Sequence, residues 1–158
     1  MVRVTGPLSL AANLWLPGGE RSLSDSGARR DVAQSLASGL AEWVRSVRAA
    51  TGAARLTVLV DEPQAAAVLS GALPTASGYR TVRSIPRSEV RQAWTLVAEA
   101  ALDGGATGIV HAPGRSGAGG QWGWPDLALL ASESLPAVPP PAGPGAQEGP
   151  RGERDGQD

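Results

Sequence analysis

The sequence predicts an α/β fold built on a parallel sheet, and three observations carry this. Residues 56–60 (LTVLV) and 107–111 (TGIVH) are short runs rich in β-favouring apolar residues. Such runs suit parallel strands covered by other elements, not strands with one wet face. Two longer stretches, beginning near residues 25 and 86, carry apolar residues at helical spacing. Strand and helix patterns therefore alternate along the chain, which predicts helices packed outside a parallel sheet.

The first strand is Val2-Arg3-Val4-Thr5, stopped by Gly6-Pro7. The helix after it places Val32, Leu36, Leu40, Trp43, Val44 and Val47 on one face. Ser24 or Asp25 is suited to cap its start, and Arg45 and Arg48 in its last turns suit the helix dipole. Gly52 stands where a left-handed terminating residue is expected. The second strand, residues 56–60, ends in Asp61-Glu62-Pro63. Residues 64–85, with Gly71, Pro74 and Gly78, read as a long connection. Pro86 suits the first turn of a helix running to about Asp103, with Val90, Trp94, Val97 and Ala101 on one face. Gly104-Gly105 ends it, and the third strand, residues 107–111, follows. Residues 115–123 are Gly-rich and read as a loop, and a short helix over residues 125–134 closes the ordered part. No fixed-period repeat is visible.

Composition divides the chain near residue 136. Residues 1–135 hold 12 Arg and 11 acids, a balance of +1. Residues 136–158 hold two Arg and four acids, and 11 of these 23 residues are Pro or Gly. Such a segment buries too little apolar surface to offset its ordering entropy, so a disordered tail is expected there. The expected organisation is thus one folded domain over residues 1–135 and a tail over 136–158. The net charge of −1 argues against a nucleic-acid partner. No apolar run approaches the roughly 20 residues of a membrane span. Residues 8–16 are moderately apolar but are interrupted by Asn13 and lack a small-residue cleavage pattern, so a cytoplasmic location is expected. The chain has no Cys, which excludes disulfides, Cys-ligated metal and a thiol nucleophile supplied by this chain.

Ligands of parallel α/β folds bind at the carboxyl ends of the strands. Here those ends read Thr5-Gly6-Pro7, Asp61-Glu62-Pro63 and His111-Ala112-Pro113. Each strand ends in polar residues shortly followed by Pro, so Thr5, Asp61 and His111 are expected to converge on one rim. Each also has a plain structural alternative: a turn for Thr5-Gly6-Pro7, a solvated turn or helix cap for Asp61-Glu62, and a hydrogen-bonded structural imidazole for His111. Trp122 and Trp124 can be read as a stacking platform or as packing aromatics. The sequence holds no Gly-x-Ser-x-Gly elbow, no phosphate-binding Gly-x-x-x-x-Gly-Lys and no dinucleotide-binding Gly-x-Gly-x-x-Gly after a strand.

At these residues the sequence resembles the cobalamin-independent methionine synthase family, in particular shorter proteins similar to its C-terminal catalytic barrel. The segments that carry the resemblance are VRVTGPLSL (residues 2–10), SLSDSGARRDVAQSLASGL (22–40), VLVDEP (58–63), LPTASGY (73–79) and GIVH (108–111). The resemblance implies a TIM-type (β/α)8 barrel, of which about three βα units are present here. It implies methyl transfer from 5-methyltetrahydrofolate to homocysteine, assisted by a zinc ion that activates the substrate thiol. By motif match, Asp61, with Thr5 beside it, takes the position that binds the amino-acid substrate, and His111 takes the zinc-ligand position. Glu133 falls near where a glutamate ligand would lie. The family carries a Cys two residues after this His, and Pro113 stands there in this chain. With no Cys anywhere, tight zinc binding by this chain alone is not expected. The resemblance starts in mid-barrel, so a truncated or frame-disrupted product is expected. An open piece of sheet is further expected to self-associate or to require a missing barrel half. Two alternatives stand beside the methyltransferase reading: a catalytically inactive half-barrel, and a fragment of a uroporphyrinogen-decarboxylase-like barrel.

Overall fold

The computed structural model describes residues 1–112 together with Gly114, Ser132 and Leu135. Three parallel strands form one sheet in the order β1 (Val2–Thr5), β2 (Thr57–Asp61), β3 (Gly108–Ala112). Val2 pairs with Val58 and Thr5 with Asp61, while Thr57 pairs with Gly108 and Asp61 with Ala112. The first crossover runs through α1 (Pro7–Asn13), a 3-10 turn at Ser22–Ser24 and α2 (Ser26–Thr51). The second runs through α3 (Ala65–Ser70) and α4 (Arg87–Asp103). The α/β class and the parallel pairing agree with the sequence reading. The second and third strands each sit one residue later than the apolar runs suggest, because pairing continues into Asp61 and Ala112.

Helix α2 begins where Asp25 accepts a 2.7 Å hydrogen bond from the Ala28 amide. It ends at Gly52, whose left-handed backbone (φ 61°) lets its amide reach the Arg48 carbonyl. The buried face of α2 is Ala33, Ala37, Leu40 and Val44. Leu40 and Val44 are on the expected face, and Val32, Leu36 and Val47 are half-buried and pack against the core, whereas Trp43 is 41% exposed and Ala33 and Ala37 are buried in addition. In α4 the expected residues Val90, Trp94, Val97 and Ala101 are all buried.

Helices α1 and α3 are not legible in the sequence. They have seven and six residues, well below the roughly 12–15 that an isolated helix needs in water. They persist by burial: Leu8, Ala11 and Ala12 of α1 and Ala65, Ala66, Val68 and Leu69 of α3 join Leu23, Val82, Ile85, Val90 and Trp94 in one cluster. A second cluster lies directly on the sheet, where Ala37, Leu40 and Val44 of α2 and Val97 and Ala101 of α4 cover Val58 and Val60.

Both helices that cover the strands therefore lie on the face carrying Val58 and Val60. Side chains alternate across a strand. The opposite face presents Arg3 and Thr5 of β1, Leu59 and Asp61 of β2, and Val110 of β3, which is 46% exposed. No described helix packs there. The loop expected at residues 115–123, the helix at 125–134 and the tail at 136–158 lie outside the described residues, apart from Ser132 and Leu135 taken singly.

Candidate functional site

The carboxyl ends of the strands carry two polar groups of opposite character, set by one step of the β2 backbone. Asp61 is the last residue of β2 and shares a face with Leu59, so its side chain stands on the helix-free side. Thr5 is its register partner on β1, and both lie on that side. Asp61 forms an ion pair with Arg3, the Nε of Arg3 lying 3.2 Å from Oδ2. The Arg3 side chain is 68% exposed and that of Asp61 20%. A pair this wet contributes at most about 1 kcal/mol to stability, so it opens readily to a competing ligand.

Glu62, one residue on, points the other way and is 1% exposed. Its Oε1 accepts from the Leu8 amide at 2.9 Å and from Trp94 Nε1 at 3.0 Å. Its Oε2 accepts from the Ser9 amide at 2.7 Å. The Leu8 and Ser9 amides belong to the first turn of α1 and have no partner within the helix. Glu62 thus joins the end of β2 to the start of α1 and to the middle of α4. Its own amide donates to the Ala112 carbonyl at 2.8 Å, adding β3. Gly6 is required here, because a Cβ at that position would lie 2.4 Å from Glu62 Cδ. Burial pushes the Glu62 carboxyl above its ordinary value of 4.5, against the hydrogen bonds from Ser9, Leu8 and Trp94. Desolvation outweighs those bonds. Each bond to a charged acceptor contributes about 1.5–3 kcal/mol, while taking an ion out of water costs several.

His111 pairs with Val60 and so faces the helices, on the side opposite Asp61. Its ring meets Trp94 edge to face, with centroids 5.2 Å apart. Among the described residues neither ring nitrogen has a hydrogen-bond partner. Burial lowers its pKa from 6.5 to about 4, so the imidazole is neutral at physiological pH.

The structure therefore brings Thr5 and Asp61 together but sets His111 on the other side of the sheet. The expected three-residue rim is a two-residue rim, since Asp61 and His111 occupy register rows of opposite parity. Glu133 lies outside the described residues, as do Trp122 and Trp124. Sequence reasoning misses Glu62, Ser9 and the indole of Trp94 as interacting polar groups. One signal for Glu62 is present: Val58, Val60 and Glu62 are two residues apart, so strand periodicity carries the buried face onto the acid.

Zinc of the kind the resemblance implies does not fit these residues. A zinc centre takes about three or four protein ligands. The chain has no Cys, and the His111 ring is packed on Trp94 away from Asp61. Among the described residues no three His, Asp or Glu side chains cluster to hold a metal. No described helix is long and apolar enough to cross a membrane. Comparison with known proteins returns no match to a family model, to a curated protein or to a solved structure.

Proposed function

We propose that residues 1–112 are three consecutive units of a TIM-type barrel of the cobalamin-independent methionine synthase kind, and that their strand ends bind the amino-acid substrate. The reading is supported by the strand order. Three sequential parallel strands with both crossover helices on one face are what a barrel wall requires, with the bare face turned to the interior. One half of a doubly wound sheet has the same local arrangement, so the choice of a barrel rests on the resemblance carried by the strand-end motifs. The observation that carries the site is the Arg3–Asp61 ion pair, at the carboxyl end of the central strand and on the bare face.

The chemistry follows from that pair. An amino acid such as homocysteine is a zwitterion. Its ammonium can replace Arg3 at the Asp61 carboxylate, and its carboxylate can take the freed guanidinium of Arg3. Two wet ion pairs replace one, and Thr5 beside Asp61 offers a hydroxyl to the same ligand. The chain's own residues thus bind and orient the substrate. Among the described residues no three His, Asp or Glu side chains cluster to hold the thiol-activating metal, so the part assigned to them is substrate binding. The absence of Cys favours a second reading, a non-catalytic half-barrel that needs a partner or only binds an amino acid.

The test is homocysteine binding by isothermal titration, with the Asp61→Ala variant beside the native chain. Native binding should vanish in the variant. Equal binding by both chains removes Asp61 from the site. Homocysteine methylation assayed with and without added zinc then separates the two readings, and methyl transfer by the chain alone would defeat the non-catalytic one.

A further inference from the structure

A cleft of about 270 Å³ lies between α1, α2 and α4, on the far side of the sheet from Asp61. Its apolar wall is Leu8, Ala11, Ala33, Ile85, Ala93 and Leu96. One alanine from each of the three helices faces the gap. Protein interiors are ordinarily filled to crystal-like density, and larger side chains at these positions would close it. The volume sits just under the usual range for small-molecule pockets, about 300–1,000 Å³.

The charged groups at the mouth are not balanced. Arg29 bonds Glu89 through Nε at 3.2 Å and Nη2 at 2.7 Å, and donates to the Leu23 carbonyl at 2.7 Å. That pair is neutral and its acid is occupied. Arg30 also lines the cleft. It is exposed and has no ion-pair partner among the described residues. The amides of Gln34 and Gln92 line the same opening. An apolar floor with one uncompensated cation at its edge is complementary to an acid with a greasy body.

We propose that this cleft is a binding site for a small amphipathic carboxylate, with an apolar body of about ten non-hydrogen atoms against the alanine-lined floor and its acid on Arg30. The cleft uses none of Thr5, Asp61, Glu62 and His111; of the strand-end segments only Pro7 reaches it.

The probes are 4-phenylbutyrate and its uncharged analogue 4-phenylbutan-1-ol, titrated into the full 15N-labelled chain and followed by amide chemical shifts. The acid should shift Ala11, Ala33, Ala93 and Leu96 and saturate with a Kd of about 1 mM, as expected for a ligand of this size. The alcohol should shift the same residues about threefold more weakly. In Arg30→Gln the acid should bind no better than the alcohol. Ala93→Leu, which fills the cleft, should abolish binding of both. Shifts that scatter over the surface, or an acid preference that survives Arg30→Gln, would overturn the proposal. So would unchanged binding in a folded Ala93→Leu chain; should that variant not fold, the Arg30→Gln comparison decides alone.

Discussion

Replacing His111 by Phe should change how stability depends on pH, and the size of the change follows from the packing. In the fold the imidazole is neutral down to about pH 4, against 6.5 for the free group. Between those values the unfolded chain binds a proton that the folded chain does not. Stability from this group is therefore complete above pH 6.5 and falls as pH drops toward 4. The full gap corresponds to about 3 kcal/mol, of which about 2 kcal/mol is lost by pH 5. Phe keeps an aromatic edge against Trp94 and carries no titrating nitrogen. Glu62 works in the opposite sense. Its carboxyl is raised above 4.5 in the fold, so the folded chain holds the proton longer, and stability from Glu62 falls as pH rises above 4.5. The two groups oppose each other in the native profile. Urea unfolding followed by circular dichroism at pH 7 and pH 5 resolves them. Relative to the native chain, His111→Phe should gain about 2 kcal/mol on going from pH 7 to pH 5, and Glu62→Gln should lose stability as pH falls toward 4.5. Parallel pH profiles for His111→Phe and the native chain would contradict a dry, neutral imidazole, because a solvated or hydrogen-bonded ring would give that result.

Three further substitutions test the packing. Gly6→Ala must displace the Glu62 carboxylate, since the new methyl would sit 2.4 Å from Cδ; a loss of about 3 kcal/mol is expected in urea unfolding, and a loss below about 0.5 kcal/mol would show that Glu62 is not fixed there. Trp94→Phe removes one of the three N–H donors to Glu62 and should cost about 2 kcal/mol; it should also raise the Glu62 pKa further, measurable by carboxyl NMR titration. Asp25→Ala removes the α2 cap and should cost about 1 kcal/mol, with faster amide exchange at Ala28.

Much of the architecture is legible in local pattern. Strand β1 and helix α4 occupy the expected residues, and the cap at Asp25 and the glycine stop at Gly52 are where the sequence places them. These features depend on near neighbours, so a linear reading reaches them. The α2 face is legible except at Trp43, which is 41% exposed, and at Ala33 and Ala37, whose small apolar side chains do not mark them as buried. Helices α1 and α3 escape notice because their stability is tertiary, supplied by the shared cluster around Leu23 and Trp94.

The site shows the same division. The polar strand ends and the absence of Cys are legible in the one-dimensional chain, whereas the Thr5–Asp61 register row is not. Nor is the face each acid takes. Asp61 and Glu62 are adjacent and chemically alike, yet one stands on the open side of the sheet against Arg3 and the other is sealed beneath α1. The alternation of a strand forces them apart, but only the helices, by covering one face alone, decide which acid remains open to a ligand. His111 falls on the covered face for the same reason, and its partner there is an indole ring.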